Sequence, residues 1–206
     1  MRVLSINKKN IAEAVKILKD GGTVVYPTET SYGLGCDWEN SRAIAKIAKI
    51  KQRPKEKKFA VICANKAMTA RFFKFGKLEK QLATEYWPGP LGIVLSCLTK
   101  GRIAMPRKPC NPPLCQVEVA VRVSSNDIAR ALSRGLKKPI ISTSANISGK
   151  GDPYDIKTII KSFENQKYQP DLILDAGRLP LRKSSTIIKI TKNGKIEILR
   201  EGEIRI

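Results

Sequence analysis

Short β-branched runs alternate with segments of helical periodicity along the first half of the chain. Apolar residues at helical spacing predict a helix over residues 11–19, and the β-branched run that follows predicts a strand at 23–26. A second helix is predicted with Ser41 as its N-cap, and a second buried strand at 59–62. Because an amphipathic helix must bury its apolar face against another element, this alternation predicts helices packed on a sheet.

The rest of the chain continues the pattern and adds a hairpin. Helices are predicted near residues 65–72, 78–86, 126–133 and 155–163. Strands are predicted at residues 91–98, 117–123, 139–142, 172–174, 185–190 and 195–200. Asn193 and Gly194 predict a tight turn between the last two strands, which makes that pair antiparallel. The predicted fold class is therefore α/β, a single domain over residues 1–206 with a mixed parallel and antiparallel sheet packed by helices.

Composition excludes several kinds of chemistry. The chain has no histidine, so Ser-His-Asp and Cys-His arrangements are excluded. Its five cysteines contain no C-x-x-C pair, and a zinc site without histidine needs four thiolates, so no metal site is predicted. The sequence shows neither an apolar run long enough to span a membrane nor a signal-peptide pattern, which predicts a cytoplasmic protein without membrane contact.

Charge is the strongest compositional bias. Lys and Arg total 39 against 18 Asp and Glu, a formal net charge of +21. Such an excess attracts polyanions, so nucleotides or RNA are natural partners. A solvated lysine-rich surface would give the same number, and this alternative stays open.

Three polar clusters are candidates for a site. Residues 26–35 combine hydroxyls, the carboxylate of Glu29 and two glycines after a predicted strand, which suits a small amine-bearing substrate. Lys51 and Arg53 end a predicted helix and suit phosphate oxygens. Residues 142–149 run from a strand into hydroxyls and an amide, which suits a phosphate.

Each cluster also has an ordinary structural explanation. The first is consistent with a Ser/Thr turn, the second with cations at a helix C-terminus, and the third with a polar loop. The chain contains neither a Walker A loop nor a G-x-G-x-x-G turn, so a nucleotide site would be of another design.

The clusters belong to a longer series of motifs. The series is P-T-E-T-S-Y-G-L-G at 27–35, K-Q-R at 51–53, W-P-G-P-L at 87–91, V-R at 121–122, S-A-N at 144–146 and S-T at 185–186. In this order and spacing, over about residues 10 to 202, the chain resembles the YrdC family of threonylcarbamoyl-adenylate synthases in their short, single-domain form.

The resemblance implies a twisted mixed sheet with a concave basic face. It implies a nucleotidyltransferase that forms threonylcarbamoyl-AMP and pyrophosphate from L-threonine, bicarbonate and ATP, with Mg²⁺ carried by the ATP. A tRNA threonylcarbamoyl transferase complex then uses the product to make threonylcarbamoyladenosine in tRNA. Transfer RNA is thus an indirect partner, and direct RNA binding is left open.

The resemblance also assigns site residues. The expected threonine contacts are Thr30, Arg122, Ser142 and Ser185. The expected nucleotide contacts are Arg53, Lys57, Ser144, Asp152 and Arg200. The residues tied to catalysis are Lys51, Arg53, Ser144 and Asn146.

Three positions depart from the family's pattern. Ile62 stands where many relatives have histidine, Ser124 where they have proline, and Glu118 where a small residue or threonine is common. These differences bear on the shape of the threonine pocket, and a Glu118 carboxylate near ATP would need a cation beside it.

Two other functions are compatible with the sequence. One is an RNA-binding module for double-stranded RNA, tRNA or ribosome maturation, which uses the basic concave face without chemistry. The other is a carbamoyl-transfer domain like that of hydrogenase maturation proteins, although the acylphosphatase and zinc-finger regions that accompany such a domain do not occur here.

Overall fold

A computed structural model describes residues 1–53, 59–98 and 118–206. The strands are β1 (Arg2–Ser5), β2 (Val24–Pro27), β3 (Tyr32–Gly35), β4 (Ala60–Ile62), β5 (Phe73–Lys74), β6 (Leu91–Cys97), β7 (Glu118–Arg122), β8 (Ile140–Ser144), β9 (Leu172–Asp175), β10 (Thr186–Ile190) and β11 (Ile196–Arg200). The helices are α1 (Lys8–Lys19), α2 (Ser41–Ile50), α3 (Lys66–Phe72), α4 (Lys77–Tyr86), α5 (Asp127–Leu136) and α6 (Ile156–Phe163).

The strands form one continuous sheet. Their order is β1-β9-β2-β3-β8-β4-β7-β6-β10-β11, and β5 pairs with β6 outside this path. Parallel pairing joins β9 to β1 and β2, β4 to β7, and β6 to β10. The other pairs are antiparallel, including the predicted hairpin β10–β11. The predicted α/β fold with a mixed sheet is confirmed.

Helices cover the two faces of the sheet unequally. Val61 joins an apolar cluster that contains α2, α3, α4 and α6, whereas its neighbour Ile62 joins a cluster that contains α1 and α5. Successive strand residues point to opposite faces, so these clusters lie on opposite sides of β4. Ile62 is opposite Arg122 in register, and Arg122 lines a cavity. Ile62 and Arg122 therefore point to the same face of the sheet. Helices α1 and α5 cover this face near β4, and the cavity lies on the same face at β7.

Side-chain caps explain where most helices begin. The N-cap side chain accepts a backbone N–H bond at five of the six described helices; these caps are Asn7, Asn40, Asn65, Asn126 and Asp155. Short polar side chains in this position satisfy the otherwise unpaired first-turn donors. The prediction that Ser41 caps α2 is wrong, because Asn40 accepts from the N–H of Ala43 at 3.0 Å. Within the described residues, no helix is long and apolar enough to cross a membrane.

The sequence prediction missed three strands, namely β1, β3 and β5. The most important is β3, which forms a hairpin with β2 where the sequence favoured a loop. A Cβ on Gly35 would lie 2.3 Å from the carbonyl oxygen of Ile141 and 2.9 Å from a ring carbon of Tyr26. Glycine at this strand position thus lets the Tyr26 ring pack flat against β3.

Candidate active site

A cavity of about 550 Å³ lies over the uncovered face of β6, β7, β10 and β11. Residues of the β2–β3 turn and of β8 also line it. Eight of the eleven predicted site residues are among its lining residues, and they are Thr30, Arg53, Arg122, Ser142, Ser144, Asp152, Ser185 and Arg200. Motifs that are more than a hundred residues apart in the sequence therefore meet in one concave site.

The other three predicted residues are two buried residues and one that the structure does not describe. Lys51 and Asn146 are buried but are not among the residues that line it. Lys57 lies outside the described residues.

The floor of the cavity consists of cross-strand rows. One row runs from Ala120 on β7 through Val94 on β6 to Lys189 on β10. In the neighbouring row, Gly92 is opposite Ile187. A Cβ on Gly92 would lie 3.4 Å from Cγ1 of Ile187, which is an ordinary contact. The cavity is deeper at this position because glycine has no side chain.

The turn between β2 and β3 presents an ordered hydroxyl. The Thr28 hydroxyl donates to the Ser31 carbonyl oxygen at 2.6 Å and lies 3.1 Å from the Thr30 hydroxyl oxygen. A hydroxyl has only one proton, so Thr30 must be the donor in the second contact. The lone pairs of Thr30 are then left to accept hydrogen bonds from a ligand in the cavity.

Arg122 is held by a carboxylate from the first motif. Its Nη1 lies 3.0 Å from Oε1 of Glu29, and the two side chains are 11% and 6% exposed. The Ser124 hydroxyl donates to the second Glu29 oxygen. Because the pair is buried, removing either charge would leave the other unpaired in a poorly hydrated place. The sequence placed the Glu29 carboxylate in a cluster suited to an amine-bearing substrate, but in the structure its two oxygens accept from Arg122 and Ser124.

Lys51 points into the loop that follows β8. Its Nζ donates to the carbonyl oxygens of Ser144 and Asn146, at 2.5 and 2.8 Å, and to Oδ1 of Asn146 at 2.9 Å. These acceptors match the three protons of an ammonium group. Burial, and then the neighbouring Arg53, lowers the pKa of Lys51 to about 7.

Asn146 extends this network across the loop. Its Nδ2 donates to the carbonyl oxygens of Lys150 and, at 3.0 Å, Gly151. Its Oδ1 also accepts from the Ser144 hydroxyl at 2.7 Å. Lys51 and Asn146 thus fix the loop that carries Ser144 and leads to Asp152.

Contacts with neighbouring residues fix the orientation of two arginines that line the cavity. Arg53 lies over the Phe59 ring, with 4.7 Å between the guanidinium carbon and the ring centre. Arg200 donates through Nε and Nη2 to the carbonyl and hydroxyl oxygens of Ser185, at 2.8 and 2.7 Å. Burial lowers the pKa of both guanidinium groups, and nearby Arg122 adds to the effect at Arg200.

The charges that line the cavity nearly balance. Among the described residues, the lining cations are Arg53, Arg122, Lys189 and Arg200, and the lining carboxylates are Glu118, Asp152 and Glu197. The positive excess of the described chain is therefore concentrated outside the cavity.

The structure also places the three positions that depart from the family's pattern. Ile62 is fully buried in the cluster with α1 and α5 and is not among the residues that line the cavity, so it has no direct place in the pocket wall. Ser124 acts through Glu29, as described above. Glu118 lines the cavity and has the cation that it needs, since its Oε2 lies 2.7 Å from Nζ of Lys189.

A comparison with known protein families shows to which family the chain belongs. The Sua5, YciO and YrdC family model, whose description reads "Telomere recombination", matches residues 16–202. The chain belongs to the Sua5/YciO/YrdC family. Within it, the chain is 31% identical over 196 residues to the uncharacterized protein YciO of Escherichia coli K12, with 93% of the chain and 88% of YciO covered.

Solved structures of the family agree with this fold. The P. abyssi Sua5 complex with L-threonine matches with a TM-score of 0.84 and 28% identity, covering 98% of the chain and 58% of Sua5. The crystal structure of E. coli YciO matches with a TM-score of 0.82 and 29% identity, covering 98% of the chain and 96% of YciO. The chain thus spans less than two thirds of the Sua5 chain and nearly the whole of YciO.

Proposed function

We propose that this chain is a threonylcarbamoyl-AMP synthase, which joins L-threonine, bicarbonate and ATP and releases pyrophosphate. The observation that carries the proposal is the convergence of Thr30, Arg122, Ser144 and Arg200 on one cavity. The family relationship and the threonine bound to the similar Sua5 structure support it.

The threonine end of the cavity is assigned to the β2–β3 turn and β7. Arg122 faces the amino-acid carboxylate, because a guanidinium has donors to spare after one bond to Glu29. The free lone pairs of Thr30 accept from the substrate amine or hydroxyl. The hydroxyls of Ser142 and Ser185 complete a polar pocket.

The phosphate end is assigned to Arg53, Arg200 and Ser144, whose hydroxyl has to turn from Asn146 Oδ1 to donate to a phosphate oxygen. Arginine side chains that are already oriented stabilise negative charge without reorganising during the reaction. Lys51 and Asn146 act as positioning residues that do not touch the substrate, because their polar groups hold the Ser144 loop. The sequence analysis tied Lys51 and Asn146 to catalysis without listing them among the threonine or nucleotide contacts, and this proposal gives them a positioning role.

The reaction needs positioning more than proton transfer. The neutral amine of threonine makes a bond to the bicarbonate carbon, a C–O bond of bicarbonate breaks, and water leaves, which gives N-carboxy-threonine. Its ionised carboxylate oxygen then makes a bond to the α-phosphorus of ATP. The bond from that phosphorus to the bridging oxygen breaks, and pyrophosphate leaves with the electron pair. No histidine base is required, which agrees with a chain that has none.

Mg²⁺ is proposed as a companion of ATP, and the lining residues fit that role. Mg²⁺ in nucleotide sites is held by phosphate oxygens and one or two carboxylates, and Asp152 lines the cavity near Arg200. When bound, the ion would neutralise phosphate charge and polarise the α-phosphoryl group.

Omission of single substrates tests the proposal. Purified protein should release pyrophosphate from ATP only when threonine and bicarbonate are both present. Pyrophosphate release that ignores threonine, or no release from well-folded protein, would reject the assignment.

An RNA-binding module is the second candidate, because the net charge of +21 favours it. Because the charges of the described cavity lining nearly balance, RNA binding on another surface is the form of this candidate that we favour. Pyrophosphate release distinguishes the two functions, because RNA binding alone predicts none.

A further inference from the structure

The cavity floor carries an ion pair that the proposed reaction does not use. Glu118 and Lys189 approach within 2.7 Å, and their side chains are 38% and 35% exposed. They lie on β7 and β10, on either side of β6, and both line the cavity. The bond to Glu118 raises the pKa of Lys189, and nearby Glu197 adds to the rise.

A carboxylate in this position limits what can lie beside it. Phosphate groups would be repelled by Glu118, whereas a neutral group that donates hydrogen bonds would be attracted. Lys189 takes up Oε2, and Oε1 has no hydrogen-bond partner among the residues that the structure describes. The carboxylate therefore retains free acceptor capacity toward the cavity.

The floor beside the pair is flat and apolar. Val94 and Ala120 lie next to each other across β6 and β7, and Val94 is next to Lys189. Glu118 precedes Arg122 by four residues on one strand, a separation of about 13 Å at 3.3–3.4 Å per residue. In the proposed function Arg122 faces the threonine carboxylate, so the ribose and the reacting α-phosphate lie between Glu118 and Arg122, and about 13 Å is the scale of that span.

We propose that Glu118, held in place by Lys189, accepts hydrogen bonds from the ribose hydroxyls of the bound nucleotide and makes the site selective for ribonucleotides. The inference rests on the proposed function, in that it takes the cavity as a nucleotide site. Carboxylates bind ribose hydroxyls in other nucleotide folds for the same reason, since the two oxygens accept from the neutral diol without facing the phosphates.

Calorimetric titration with deoxynucleotides tests the proposal. ATP, 2′-deoxy-ATP and 3′-deoxy-ATP are each titrated into the protein with Mg²⁺ and without threonine or bicarbonate, so that binding is measured without turnover. Wild-type protein should bind ATP roughly tenfold or more tightly than at least one deoxy analogue, the usual effect of a hydrogen bond to a charged group.

Two variants identify the responsible carboxylate. Glu118→Gln should weaken ATP binding until the preference over the deoxy analogue is nearly lost, while binding of that analogue changes little. Glu197→Gln removes the same charge from the same cavity and should keep the preference. A Glu118→Gln protein that retains the ribose preference, or that loses ATP and deoxy-ATP affinity equally, would overturn the proposal.

Other outcomes distinguish ribose recognition by Glu118 from the synthase function on which it rests. Equal wild-type affinities for ATP and both analogues reject ribose recognition and leave the synthase function standing. Absence of binding by every nucleotide would reject both the ribose contact and the nucleotide site.

Discussion

At the scale of single residues, the two cations of one short motif have different tasks. Lys51 is 2% exposed and has three oxygen partners in the β8 loop, whereas Arg53 lines the cavity. The first residue therefore supports the site and the second faces the substrate. Stability and activity measurements should separate these roles.

Lys51→Met keeps the aliphatic length of the side chain and removes the ammonium group. We expect it to lower the free energy of unfolding by about 2 to 4 kcal/mol, because buried oxygens lose their donor. Adenylate formation should also fall, since the loop that holds Ser144 is no longer fixed. Denaturant unfolding and turnover are the measurements. A variant that is inactive and yet as stable as the wild type would place the ammonium on the substrate instead.

Arg53→Ala should lower adenylate formation by at least about tenfold, because an oriented charge at a phosphoryl group typically contributes about 2 to 4 kcal/mol. Its melting temperature should stay close to that of the wild type. Arg42→Ala is the matched control, since Arg42 is an exposed arginine in the first turn of α2. Wild-type turnover in folded Arg53→Ala protein would contradict the assignment.

At the scale of elements, the open face of β6, β7, β10 and β11 decides what the site can hold. Its depth at the centre depends on Gly92, whose missing side chain leaves room above Ile187. The bordering β2–β3 turn and β8 loop supply hydroxyls held by local hydrogen bonds. The site is thus a rigid floor with polar edges.

Gly92→Val tests this floor. The added Cβ meets Ile187 at an ordinary 3.4 Å, and valine is well suited to a strand, so we expect the fold to persist. We predict a fall in kcat/KM of at least about tenfold, which corresponds to about 1.4 kcal/mol of lost transition-state binding. Gly92→Ala should give a smaller fall. Unchanged kinetics in Gly92→Val would show that substrates do not use the floor.

Elements with a regular apolar pattern could be predicted from the sequence, and the hairpin strand β3 could not. Its four residues include two glycines, which are poor strand formers when considered locally. They are required because the Tyr26 ring packs against them, a contact that exists only after β2 and β3 pair. The role of Lys51 was missed for a similar reason. Its partners lie 93 and 95 residues further along the chain, and no local pattern shows such a bond.

At the scale of the whole molecule, the net charge of the chain is not reflected in the described lining of the cavity. The net charge is +21, but the described cavity lining has four cations against three carboxylates. The expectation of a basic surface for polyanions therefore has to be tested apart from the nucleotide site.

We predict that RNA binding is independent of sequence and falls steeply with salt, because phosphate contacts release counterions. Saturating ATP and threonine should leave RNA affinity nearly unchanged, since the positive excess of the described residues lies outside the cavity. Fluorescence anisotropy with and without the substrates measures both effects. Displacement of RNA by ATP would show that the two ligands share the cavity.

The most direct test of the account is detection of the adenylate itself. The protein is incubated with ATP, Mg²⁺, threonine and ¹³C-labelled bicarbonate, without RNA, and the products are resolved by mass spectrometry. We predict threonylcarbamoyl-AMP that carries one ¹³C atom and disappears when threonine, bicarbonate or ATP is omitted. A folded protein that binds ATP and yet forms no labelled adenylate under these conditions would contradict the central claim.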